Sequence, residues 1–112
     1  MTGMSDDVII KNEVMNDGMT LHLYFSQMFG EYVAYGFSAY VACGKCPSID
    51  SRPFLSYSAH FQMPKVRVDG RSLKVLKRKL MVLVDEEGYM RLHDSEPIDE
   101  DEYEEWANML RG

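Results

Sequence analysis

Phe29–Ala42 reads FGEYVAYGFSAYVA, and how it folds decides whether the middle of the chain is sheet or helix. Read as a helix, Phe29, Tyr32, Val33, Gly36, Phe37, Tyr40 and Val41 fall on one stripe at three- and four-residue spacing. Read as a strand, Val33, Tyr35, Phe37 and Val41 share one face. Aromatic and β-branched residues favour strand, and Gly36 costs a helix interior about 1 kcal/mol relative to alanine. The segment is therefore expected as a strand that turns back on its predecessor at Gly30-Glu31. A strict two-residue turn would set Ala34, Gly36 and Ser38 against the apolar face of that predecessor, and a longer loop would restore better packing.

Upstream, residues 1–7 read as a loose leader before a single domain over 8–112. Val8 to Met15 is a short apolar strand candidate, with Asn16-Asp17-Gly18 as its hairpin turn. In Met19 to Ser26, Leu21, Leu23 and Phe25 alternate with Thr20, His22, Tyr24 and Ser26, the period of a half-buried strand. Downstream, Cys43 to Pro53 reads as a loop punctuated by Pro47 and Pro53. Leu55 to Met63 alternates as one strand, with Pro64 marking an edge or a bulge. Lys65 to Val68 continues extended to a turn at Asp69-Gly70, and Ser72 to Lys79 reads as a basic helix or a return strand. Met81 to Val84 and Tyr89 to His93 form a hairpin.

The last element is a helix. Asp99 with Glu102 three residues on makes a capping box, Ile98 can staple against Tyr103, and the acidic first turn suits the positive end of the helix dipole. Its apolar stripe is Tyr103, Trp106, Met109 and Leu110. The expected architecture is α+β: a small antiparallel sheet built from hairpins, with a C-terminal amphipathic helix packed on one face.

The chain has 112 residues, 46% of them apolar and 27% charged, which fits one domain with one core. No apolar run approaches the length of a membrane span, so no membrane partner is expected. Met1 to Lys11 has no signal-peptide core, and with two closely spaced cysteines this points to a cytoplasmic protein.

Charge is strongly segregated behind a net value of −6. Lys65, Arg67, Arg71, Lys74, Lys77, Arg78 and Lys79 crowd one segment, and acids dominate from Asp85 to Glu105. Arg67, Arg71, Lys74, Lys77, Arg78 and Lys79 are candidates to neutralise nucleic-acid phosphates, with Tyr24, Tyr35 and Tyr57 as candidate stacking platforms. The plain alternative is a solvated basic edge that discourages strand association. Glu100, Glu104 and Glu105 are candidates to dock a basic protein partner, or to fold over the basic segment and mask it. Nine methionines suit either irregular core packing or an adaptable binding surface.

Cys43-Gly44-Lys45-Cys46 is the one chemical motif. Two thiolates at this spacing can hold zinc if His22, His60, His93 or a second subunit completes the set. A redox turn would need a following helix, where Pro47 to Ser51 reads as loop; two reduced structural cysteines is the plainer account. The histidines read as outward-facing, and no carboxylate, nucleophile or phosphate loop is spaced to make one of them a general base. The expectation is a non-catalytic interaction or regulatory module that binds a protein partner through segregated charge, with nucleic-acid binding and a zinc-stabilised module as alternatives. Exposed sheet edges also allow a homodimer.

Overall fold

The computed structural model describes residues 5–112. Its elements run α1 (Asp6–Val14), β1 (Thr20–Ser26), β2 (Glu31–Tyr35), α2 (Gly36–Lys45), a 3-10 turn (Pro47–Ile49), β3 (Leu55–Ser58), β4 (Met63–Val68), α3 (Gly70–Lys79), β5 (Met81–Glu86), β6 (Tyr89–His93) and α4 (Glu100–Arg111). The six strands form one antiparallel sheet in the order β3-β4-β2-β1-β6-β5. This is the expected α+β architecture, with α4 lying against β3, β4 and α2.

The alternation in β1 sorts the two sides of the sheet. Leu21 and Leu23 join Ala34, Val66, Val68, Met90 and Leu92 in the main core, closed by α2, by Leu76 of α3, and by Trp106 and Leu110 of α4. Tyr24 and Tyr89 point to the other side, where Ile9 of α1 covers them beside Tyr35, Phe61 and Val84. The sheet is thus covered by three helices on one face and by one short helix on the other.

Several local expectations are corrected. Val8 to Met15 is not a strand: Val8 to Val14 lie in α1 and Met15 is its C-cap, with Asp6 and Asp7 in the first turn and Ile9 and Glu13, one helical turn apart, facing the sheet. Of the expected leader, residues 1–4 lie outside the described residues, while Asp6 and Asp7 belong to α1. Asn16-Asp17-Gly18 accordingly joins helix to strand: the Asn16 side chain accepts from the Gly18 N–H at 2.9 Å, and Asp17 accepts from Met19 N–H at 2.8 Å.

Phe29–Ala42 is both of its alternatives in succession. β2 ends at Tyr35, and Gly36, at φ +56°, turns the chain into α2. Ser26 pairs with Glu31, so the β1–β2 loop is longer than Gly30-Glu31 alone, and Val33 sits opposite Tyr24. The expected loop from Cys43 starts too early, because α2 runs on to Lys45.

Leu55 to Met63 is a hairpin rather than one strand. Ser58 pairs with Met63, Ser58 Oγ accepts from Phe61 N–H at 3.2 Å, and Gln62 adopts φ +56°. Phe61 therefore packs edge-on to Tyr35 under α1, while Leu55 enters the main core. Pro64 lies where β4 pairs only with β3, so its missing N–H breaks no second ladder.

Asp69 caps α3 rather than a hairpin, accepting from Ser72 N–H at 3.0 Å. The β5–β6 hairpin and α4 follow the sequence, with Asp99 accepting from Asp101 and Glu102 N–H. Met109, however, is exposed rather than part of the buried stripe.

Candidate functional site

The two charged segments lie on separate parts of the molecule. α3 lies against α2, β4 and β5, and α4 against α2, β3 and β4. Arg71, Lys74, Lys77 and Arg78 are exposed on α3, clustered around Val75, and none makes an ion pair with another described residue. Glu100, Glu104 and Glu105 are exposed on α4 and are likewise without an ion pair among the described residues. The acidic helix therefore does not neutralise the basic one within the described chain.

The remaining basic residues are held elsewhere. Arg67 is on β4, 3.3 Å from the Glu31 carboxylate and stacked over Phe29 and Phe54. Lys65 lies over the same Phe29 ring, and Lys79 donates to the Lys45 carbonyl. The aromatic residues expected as stacking platforms are also displaced. Tyr24 and Tyr35 sit under α1, on the sheet face opposite α3, and Tyr57 lines a hollow with Tyr103 of α4. Strand β5 borders α3, and its Met81, Val82 and Leu83 are 65%, 37% and 49% exposed, Val82 on the α3 side of the sheet and Met81 and Leu83 on the α1 side.

Cys43 and Cys46 are both buried and unpaired, at the end of α2. Cys46 Sγ lies 3.2 Å from Ser48 Oγ, and burial pushes the Cys43 thiol far up, with Asp50 adding to the effect. Among the described residues no three His, Cys, Asp or Glu side chains gather to hold a metal, so the histidines that zinc would need are not brought to the pair. Such thiols are expected to react with a disulfide reagent only when the chain opens. Labelling in native buffer should be slow and should accelerate with urea, and rapid native labelling of both would contradict this burial.

The histidines separate three ways. His60 is exposed and 2.7 Å from Asp6, so the one carboxylate–imidazole pair among the described residues stands on the open surface. His22 is buried rather than outward: its Nδ1 lies 2.7 Å from the Tyr89 hydroxyl, and burial, with Arg91 nearby, holds its pKa down to about 4. His93 joins His22, Arg91, Lys11 and Leu83 around an open groove of about 510 Å³ between α1 and the sheet.

Below that groove lies a polar cluster that the sequence reading missed. Glu13 of α1 is 3% exposed and accepts from Ser38 N–H at 3.1 Å, Ser38 Oγ at 2.8 Å, Asn16 Nδ2 at 3.3 Å and Tyr24 OH at 3.5 Å. Ser38 Oγ in turn accepts from His22 N–H at 2.9 Å, and Asn12 donates to Tyr24 OH. Desolvation outweighs these hydrogen bonds and lifts Glu13 to about 7. The cluster ties α1 to β1 and α2, and its members face inward, so its evident role is to fix α1 on the sheet. A helical reading of residues 6–14 is the signal that would have found it, since it sets Glu13 one turn from Ile9.

Among the described residues no helix is long and apolar enough to cross a membrane. In comparisons with known proteins, no family model matches the chain, and neither a curated protein nor a solved structure is recognisably similar to it.

Proposed function

We propose that this chain is a non-catalytic, cytoplasmic interaction module that binds a protein partner through its segregated charges, with α3 as the principal docking face. The observation that carries the reading is the uncompensated set Arg71, Lys74, Lys77 and Arg78 around the half-buried Val75, with Val82 of β5 exposed on the same side of the sheet. Charge alone suits any polyanion, but charge flanked by accessible apolar side chains suits a protein surface, where burial adds to electrostatic steering. The partner face is accordingly acidic. Glu100, Glu104 and Glu105 on α4 offer a second surface of opposite sign for a basic partner. Two buried cysteines without a disulfide support the cytoplasmic part of the reading.

Nucleic-acid binding is the second reading, and the same four cations favour it. Against it stand the engagement of Arg67 and Lys79 within the chain and the position of Tyr24 and Tyr35 on the far face of the sheet.

The deciding experiment is fluorescence anisotropy with a labelled Asp/Glu-rich peptide and with mixed-sequence oligonucleotides, at about 50 and 200 mM salt. The peptide is expected to bind at the lower salt, and Lys74→Glu with Arg78→Glu is expected to weaken it at least about tenfold without changing the circular dichroism spectrum. Binding of the oligonucleotides alone would transfer the function to the second reading. Absence of both at the lower salt would remove α3 as a docking face.

A further inference from the structure

β5 is an edge strand whose outer side is open. The sheet ends there, and the sequence MVLVDE contains neither the lysine nor the proline that commonly blunts an edge. One irregularity interrupts it, a bulge between Val82 and Val84 that brings Leu83 out to the α1 side, where it lines the groove with Met15. Met15 is 72% exposed, so apolar surface runs from the edge strand onto the end of α1. Such a surface is covered at little cost by another strand.

The charges around β5 say which strand. The chain enters β5 through Lys77-Arg78-Lys79 at the end of α3, and leaves it through Asp85-Glu86-Glu87. An identical strand laid alongside in parallel would set base against base and acid against acid. Laid antiparallel, it sets each basic entry against an acidic exit, twice, about a two-fold axis. A register centred on Val82 places Met81 opposite Leu83 of the second copy and sets the basic end of α3 toward the acidic exit Asp85-Glu86-Glu87 of that copy. Met81 pairs with His93 across the sheet and Leu83 lines the His93 groove, so both lie on the α1 side and meet there.

We propose that two copies of this chain associate antiparallel through β5, joining their sheets into one continuous sheet of twelve strands, with both α1 helices on the same face. The occupant of the edge is thus a second copy of this chain, argued from apolar match at the centre and charge match at both ends. The inference does not require the α3 docking face, because it rests on the open edge of β5, although Lys77 and Arg78 border both surfaces.

Sedimentation velocity on the full chain from about 1 to 500 μM tests it directly. The wild-type mass is expected to rise to that of two copies with concentration. Val82→Lys, which sets two like charges at the axis, is expected to weaken the dimer at least about tenfold while leaving the circular dichroism spectrum unchanged. A complementary pair supplies a readout that misfolding cannot imitate. Lys77→Glu with Lys79→Glu in one chain, and Asp85→Lys with Glu87→Lys in another, should each fail to self-associate, and mixing the two should restore a dimer. A wild-type mass of one copy across the range would overturn the proposal, as would a dimer indifferent to Val82→Lys or a mixture that stays monomeric. Peptide binding at α3 is scored on the wild-type chain and on Lys74→Glu with Arg78→Glu, so the self-association measurements and the peptide measurements fail separately.

Discussion

Glu13→Ala is expected to destabilise the fold by about 3 kcal/mol or more, because it strips the acceptor from four donors in the interior and leaves Ser38 N–H without a partner. A domain of this size holds about 5–15 kcal/mol in total, so the variant should show a clearly lowered urea midpoint. Glu13→Gln is expected to behave differently, since an amide keeps the shape and one acceptor oxygen. Its effect depends on pH. In the native chain Glu13 titrates near 7, against 4.5 for the group in water. The folded state therefore holds a proton that the unfolded state has lost between those values, and stability falls as pH rises through that window. The loss amounts to about 3 kcal/mol.

His22 acts in the opposite sense. Its native pKa of about 4 lies below the ordinary 6.5, so its contribution is present above 6.5 and is lost as pH falls toward 4. The two buried groups offset one another over much of the same window, and wild-type stability should change little between pH 4.5 and 6.5 on their account. Glu13→Gln removes one side of that balance and should make stability rise with pH. Relative to wild type, the variant should gain about 3 kcal/mol between pH 4.5 and 8. Urea titrations of both proteins at several pH values measure this difference, from which every unchanged group cancels. A constant difference across pH would mean that Glu13 is charged throughout.

The same cluster explains where the sequence was readable and where it was not. Strand β1, the β5–β6 hairpin and the cap of α4 are local: two-residue alternation, a turn within Asp85-Glu86-Glu87-Gly88 (of which Asp85 and Glu86 belong to β5), and an Asp99–Glu102 pair each state their structure within a few residues. Helix α1 is not local. Its inward stripe carries a carboxylate, and three of its four donors come from Ser38 and Tyr24, distant in sequence, which make that position tolerable. In Leu55–Met63 the two-residue period runs on through a turn, because Ser58 and Gln62 reverse the chain without glycine or proline to announce it. The charged surfaces were visible in composition. Their separation was not, since it depends on which side of the sheet α3 and α4 reach, and neither was the burial of His22.

Gly36 tests the remaining ambiguity, the change from strand to helix inside one apolar run. At φ +56° it adopts a conformation that residues with a side chain take at a cost of about 1–2 kcal/mol. A Cβ there would also lie 3.2 Å from Met63 Sδ and 3.4 Å from Glu13 Cβ. Met63 is flexible and can yield, but Glu13 is held by four hydrogen bonds. Gly36→Ala is therefore expected to destabilise by about 2 kcal/mol, and Gly36→Val by more because branching adds bulk at the same contacts. The control lies in the same helix. At Gly44 no atom comes within 4 Å of an added Cβ, and the residue is exposed. Gly44→Ala should therefore stabilise by about 0.5–1 kcal/mol through helix propensity and a less flexible unfolded chain. Two identical substitutions eight positions apart should thus shift the urea midpoint in opposite directions at unchanged slope. A shared sign would mean that Gly36 is an ordinary helical residue and that the strand-to-helix turn is made elsewhere.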